Sequence, residues 1–350
     1  MMQACAMPRV GVLPSGPLDA ITDVGGVSVG HCTLAEGAVQ TGVTVVRAHG
    51  GDAYLDKVPA AVAIINGFGK SVGLVQVQEL GVLETPIALT NTFGVGTVAN
   101  AQIRQAVAAN AEIGRGLPTV NPLVFECNDG YLNDIQAMAV QEAHYLEAHA
   151  ACNTHFAQGS VGAGRGMSCF GLKGGIGSAS RQVAAASGQP CTVGALVLSN
   201  FGRARNLIVA GRPLGRHLAP AEAEPEKGSI ILLLATDAAL DARQLRRLSL
   251  RAGAGLARTG SVYGHGSGDI ALAFSTAYTV PHDAGRAAAW PVLVHESQLD
   301  PLFEAAAEAC EQAIVAALWR ATTVAGRDGH VRLALTERLP DWRRLLTSFG

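Results

Sequence analysis

The chain has 350 residues, of which 49% are apolar and only 15% charged, with 42 glycines and a formal net charge of -2. That is material for a large buried core and for extensive subunit contact, so a homo-oligomer is expected, and it carries no broad basic field of the kind that binds nucleic acid. Seven cysteines without a C-x-x-C pair support neither a disulfide framework nor a structural zinc site. No run of about 18 apolar residues occurs and positions 1–16 lack a secretory pattern, so no membrane partner and a soluble cytoplasmic location are the expectation.

Taken in chain order, residues 41–48, 61–65 and 86–91 read as strands and 98–109 as a helix. A strand at 123–127 and a helix at 134–150 follow, then strands at 192–199 and 230–236, joined across an acidic, Pro-containing loop at 219–228. A helix at 241–258 has Asp237 and Asp241 as capping candidates, and its arginines Arg243, Arg246, Arg247 and Arg251 recur at helical spacing, which suits a solvated or interface face. Ile270, Leu272 and Phe274 alternate with smaller residues as a buried strand, entered through the turn 264–269, and Asp300 before Pro301 opens a last helix over 301–321. The class is mixed α/β in a single domain, with a possible covalent break inside it.

The break concerns Gly266-Ser267-Gly268-Asp269. Flanking glycines leave Ser267 uncrowded, and Gly266 admits backbone angles closed to other residues. The serine oxygen could attack the Gly266 carbonyl. Hydrolysis of the resulting ester would free an α-amine, with an ordinary pKa of about 7.7 to 8, to serve as base for its own hydroxyl. The same tetrapeptide also reads as an ordinary turn. His265 lies two positions away with little reach along the strand, and fits a modulator of self-cleavage better than a catalytic base.

Two polar clusters interrupt apolar strands: 125–131, with Glu126 and Tyr131, and 199–202, with Asn200. An acid at a strand end suits a substrate ammonium, and a tyrosine or an asparagine amide suits a developing oxyanion. Strand-end capping and turn formation account for them equally well at this level. The glycine-rich stretch 162–177 lacks a Gly-Lys-Ser/Thr ending, so a nucleotide site is disfavoured. His144 and His149 stand five apart, which does not put them on one helical face, and no catalytic metal or other cofactor is expected.

Nine ordered blocks, at 16–24, 29–32, 65–70, 84–92, 126–132, 162–177, 199–202, 235–238 and 258–269, resemble the self-processing L-aminopeptidase D-Ala-esterase/amidase family, which includes the β-peptidyl aminopeptidases. The resemblance implies a four-layer αββα sandwich of N-terminal-nucleophile-hydrolase type. It further implies cleavage into a 1–266 large chain and a 267–350 small chain, and assembly into tetramers or larger. Carried over by position, Ser267 is the nucleophile, Asn200 the oxyanion donor, Glu126 the anchor for the substrate's amino group and Tyr131 a further donor.

The chain departs from the family at His265-Gly266, where many members have an asparagine, and in the last helix. There a hydroxyl and a carboxylate are expected near the nucleophile, and Cys310 and Glu311 are the candidates. The implied activity is release of N-terminal residues from small peptides, amides or esters. A self-cleaving acyltransferase of the ornithine acetyltransferase kind and an unprocessed binding protein are the alternatives.

Overall fold

Nine strands and four helices carry the architecture of the computed structural model, which describes residues 7–184, 190–218, 227–287 and 289–347. They are β1 (Ser28–Glu36), β2 (Val39–Arg47), β3 (Asp56–Gly67), β4 (Ile87–Asn91), α1 (Val95–Ala109), β5 (Leu123–Cys127), α2 (Glu142–Ala150), β6 (Gly175–Ala184), β7 (Pro190–Asn200), β8 (Lys227–Thr236), α3 (Ala242–Arg258), β9 (Gly266–Ser275) and α4 (Asp300–Trp319). One sheet has the order β1-β2-β4-β5, and the other contains β3-β9-β8-β7-β6 with two short strands against β3. The loop expected at 219–228 lies, up to residue 226, outside the described residues.

Side-chain alternation stacks these elements in four layers. Along β8, Ile231 and Leu233 point between the sheets, into a core shared with Leu89 and Phe125 of the other sheet. Ile230, Leu232 and Leu234 point the opposite way, onto Leu245 and Leu248 of α3 and Ile314 of α4. On the far side of the first sheet, Val98 of α1 and Tyr145 of α2 cover Val43, Val45 and Val124. The result is the αββα sandwich. Each large aliphatic side chain taken fully out of water contributes roughly 1.5–3 kcal/mol, which suits a composition so poor in charge.

Small residues set the spacing of the layers. A Cβ on Gly177 of β6 would stand 1.9 Å from the Ala313 carbonyl oxygen of α4, and one on Gly164 would stand 2.6 Å from the Ile176 nitrogen. The glycine-rich stretch at 162–177 therefore serves close backbone packing.

Four expectations are corrected. Helix 134–150 shrinks to Glu142–Ala150, because Met138 adopts a left-handed φ of 45° and the Asp134 N–H donates to the Ala38 carbonyl. Asp241 caps α3, accepting from the Gln244 N–H at 2.7 Å, whereas Asp237 accepts from the Thr192 N–H instead. Leu299, not Asp300, is the residue preceding α4. The strand expected from residue 270 begins at Gly266, so Ser267 is a strand residue.

A buried ion pair ties the last helix to the rest. The Arg181 guanidinium of β6, with a side chain 0% exposed, lies 3.2 Å from Glu308 of α4 and 3.2 Å from Asp19. Glu308 also accepts from the Val12 and Leu13 N–H groups at 2.8 and 3.0 Å. Glu308→Ala removes one of two counter-ions from a buried cation and strands two backbone donors. It is expected to lower the unfolding free energy by about 3 kcal/mol in urea titrations, whereas a loss below about 0.5 kcal/mol would show that the pair is dispensable.

Candidate active site

The start of β9 is clamped from several directions. The Ser267 N–H donates to the Gly264 carbonyl at 2.9 Å, and the Ser267 carbonyl accepts from the Phe68 N–H at 3.3 Å. The side-chain amide of Asn66, at the end of β3, donates to the carbonyls of Gly264 (3.1 Å), His265 (3.3 Å) and Ser267. Tyr263 in the approach takes a left-handed φ of 54°, and its hydroxyl donates to the Gly253 carbonyl. A Cβ at position 268 would lie 2.8 Å from the Phe68 carbonyl oxygen, so the residue after the serine must be glycine for β3 and β9 to close this tightly.

Ser267 is 1% exposed, and its hydroxyl donates to Asp269 Oδ1 at 2.5 Å. Residues two apart on a strand share a face, and here the serine and aspartate side chains lean toward each other along it. The same argument of reach that sets His265 aside would have set Asp269 aside, and it fails here. His265 itself is exposed, with its ring 6.3 Å from that of Phe68.

Glu126, at the end of β5 in the opposite sheet, accepts from the Lys70 N–H at 2.9 Å and from the Thr92 hydroxyl. A Cβ on Gly69 would lie 3.6 Å from Glu126 Oε1 and 3.9 Å from the Gly268 Cα, which places this carboxylate beside the β9 entrance. Asn200 ends β7 and pairs across the sheet with Ser229, which pairs in turn with Gly268. Its Oδ1 accepts from the Ser168 N–H at 2.8 Å, and Nδ2 donates to the Asn128 carbonyl at 3.0 Å. One of the two amide hydrogens is thus fixed, and the other remains for a ligand. Tyr131, 38% exposed, stacks on the His330 ring at 4.5 Å with the Arg332 guanidinium 3.6 Å from its centroid. A serine hydroxyl on a carboxylate, a second carboxylate held by two donors and a fixed amide therefore meet at one end of the sandwich.

Cys310 and Glu311 have neighbours of their own. Cys310 is fully buried where α3 crosses α4, with its Cβ 2.8 Å from where a Cβ on Gly255 would stand, and Glu311 pairs with Arg258 at 3.5 Å. Among the described residues, no three metal-binding side chains cluster.

Comparison with known proteins bears on this arrangement. The model of peptidase family S58 matches residues 19–332. The chain belongs to peptidase family S58. It is 38% identical to a β-peptidyl aminopeptidase, BapA, of Sphingosinicella microcystinivorans, over 93% of this chain and 86% of that protein. The PH0078 protein of Pyrococcus horikoshii superposes with a TM-score of 0.93 at 46% identity, covering 98% of each chain. The L-aminopeptidase D-Ala-esterase/amidase of Ochrobactrum anthropi, described as a prototype of the serine aminopeptidases and a variant of the N-terminal-nucleophile hydrolase fold, gives 0.87 at 35% identity, covering 97% of this chain and 98% of that one. The protein is accordingly a serine aminopeptidase of the N-terminal-nucleophile type.

For this S58 peptidase, three residues around the site were given no role from sequence. Asp269 and Asn66 stood inside quoted motifs but carried no sign of what they touch. Lys173 is fully buried and donates to the carbonyls of Gly164, Met167 and Gly174 at 2.8–2.9 Å, and burial holds its amine well below the usual lysine range. It thereby shapes the loop that presents the Ser168 N–H to Asn200.

Asp129, in the loop between Glu126 and Tyr131, accepts from the Asn133 amide at 3.0 Å. Burial pushes its carboxyl up from 3.8 to about 6, against hydrogen bonds that favour the ionised form. Between those two values the folded protein keeps a proton that the unfolded chain releases, so the contribution to stability falls as pH rises, by about 3 kcal/mol at about 1.4 kcal/mol per pKa unit. Asp129→Asn removes this contribution. Its unfolding free energy relative to wild type is expected to climb between pH 4 and 6 and level off above, as read by urea titration at each pH; a fall over that window contradicts the assignment.

Proposed function

We propose that this S58 aminopeptidase cuts its own chain before Ser267 and then releases N-terminal residues from small peptides, amides and esters through an ester on that serine. The observation that carries this reading is the Ser267 hydroxyl on Asp269 at 2.5 Å, at a strand entrance shared with the Glu126 carboxylate. While residues 266 and 267 remain joined, Ser267 has no free amine, and Asp269 is the group in contact that can take its proton. The oxygen attacks the Gly266 carbonyl, the C–N bond breaks, and the proton passes to the departing nitrogen. Water then hydrolyses the ester, leaving residues 1–266 with a carboxylate and Ser267 with an α-amine.

In turnover that amine is the base for the hydroxyl. Glu126 receives the substrate ammonium, and the second amide hydrogen of Asn200 points to the carbonyl oxygen, with Tyr131 as a further donor. A carboxylate already oriented by Lys70 and Thr92 offers a fixed point for the substrate ammonium, and the β-peptidyl activity named for the relative supports β-amino amides among the substrates. Blocking the amine leaves the acid unpaired, so blocked peptides are rejected. The low charge content supports assembly into a homo-oligomer.

Intact-mass measurement on the denatured protein is expected to show two species divided before Ser267, and Ser267→Ala a single uncut, inactive one. Processed and active Ser267→Ala protein would overturn the nucleophile. Asp269→Asn is expected to slow the appearance of the cut chain by about 100-fold or more, the usual weight of a positioned base, whereas His265→Asn is expected to preserve or speed it. Unchanged processing in Asp269→Asn would remove the carboxylate from the mechanism.

A further inference from the structure

One cavity of the molecule lies away from the β9 entrance. It has a volume of about 260 Å³ and opens at the other end of the first sheet, between β2, β4, α1 and α2. Strand β4 joins the two places: Ile87 lines the cavity, and Asn91 ends the strand beside Thr92, about 13 Å away at 3.3 Å per residue. No step of the proposed reaction uses it.

Its walls combine an apolar bed with one cation, Arg47, and two carboxylates, Glu84 and Asp52, the latter already bonded to the Tyr54 N–H at 2.8 Å and the Asn110 amide at 2.7 Å. Val58, Leu83 and Ile87 are buried and form the bed. Arg47 is half-buried at the margin, gives one hydrogen bond to the Gly50 carbonyl at 2.8 Å, and has no carboxylate partner among the described residues. A guanidinium is always charged and presents a planar fork to a carboxylate, so an arginine left with most donors free beside apolar surface is disposed toward an anion. His149 lines the same space, and burial followed by the Arg47 charge lowers its pKa, which leaves a neutral ring there. Glu84, only 7% exposed, binds the Asn121 N–H and amide through Oε1, at 2.6 and 2.8 Å. No hydrogen bond to its Oε2 is seen among the described residues, the Lys57 ammonium acts on the carboxylate only through its charge, and the side chain lines the opening.

We infer that this cavity is a second, non-catalytic site for a free apolar α-amino acid, with the carboxylate on Arg47, the ammonium on Glu84 and the side chain on the Val58, Leu83 and Ile87 bed. The volume lies just under the roughly 300 Å³ at which small-molecule sites begin, which suits one residue better than a peptide. An α-amino acid engages both Arg47 and Glu84 with a single small molecule, whereas a fatty acid or an amine engages only one of them. The site stands on the cavity alone. That its ligand is also what the enzyme releases rests on the proposed function.

The test is calorimetric titration of L-leucine into the Glu126→Gln protein, in which the catalytic anchor for an ammonium is gone. One saturable site is expected, weakened at least 10-fold by adding Arg47→Met or Glu84→Gln and abolished by adding Ala106→Leu, which fills the cavity without touching a charge. 4-Methylpentanoate and 3-methylbutylamine, each lacking one of the two polar groups, are expected to bind at least 10-fold more weakly than leucine. Absence of binding, binding that survives Ala106→Leu, or 4-methylpentanoate binding as tightly as leucine each overturns the inference. Because the titration needs no turnover, these results leave the proposed function untouched. Should Arg47→Met fail to fold, the two analogues and Ala106→Leu still decide the matter.

Discussion

Strand β9 is paired on both sides, parallel to β8 and antiparallel to β3, and the active end of the molecule is built around its first four residues. An interior strand cannot shift by one residue without turning its whole apolar set to the wrong face. Ile270, Leu272 and Phe274 are fixed in the core between the sheets, and Ala271 and Ala273 in the core beneath the helices. Ser267 and Asp269 are thereby locked on one face at a depth set by the rest of the strand. The position of the Ser267 hydroxyl is a result of core packing, with the Asn66 amide holding the approach from β3.

The other groups reach this place because the two sheets end together. Glu126 comes from β5, Asn200 from β7 and Asn66 from β3, each at the end of its strand. Each is held by backbone donors or acceptors from a neighbouring element. Such anchoring restricts the rotamers of a nucleophile's neighbours before any substrate arrives, which is the structural content of preorganisation. The buried Lys173, bound to three carbonyls, extends this support one shell outward.

How far the sequence disclosed this varies with the physics of each element. Strands β2, β3, β4, β5, β7 and β8 were legible because branched aliphatic residues concentrate there. β1 and β6 were not, since Gly30, Gly175 and Gly177 replace the side chains that would have marked them and serve close approach instead. The helix begun too early at Asp134 failed because a tertiary hydrogen bond to Ala38 outweighs local propensity. Ser267, Glu126, Asn200 and Tyr131 could be singled out as polar residues in unusual places, and the structure brings Ser267, Glu126 and Asn200 to one end of the fold. Asp269 could not, because its partner depended on where the strand starts, and the Glu311 pairing with Arg258 of α3 could not be read from spacing within one helix.

The Arg181–Glu308 pair joins one residue from before position 267 to one from after it, as do the ladders on either side of β9. In an uncut chain these contacts form as a first-order event, because both partners are tethered and the loop between them closes at modest entropic cost. If the backbone is severed before Ser267 as proposed, a molecule that opens fully yields two fragments whose re-encounter depends on concentration, and the shorter one leaves with a central strand and a long buried helix. Refolding of the matured form would then be second order and would compete with aggregation of those apolar surfaces, so the lifetime of the enzyme would be governed by its unfolding barrier and not by an equilibrium constant.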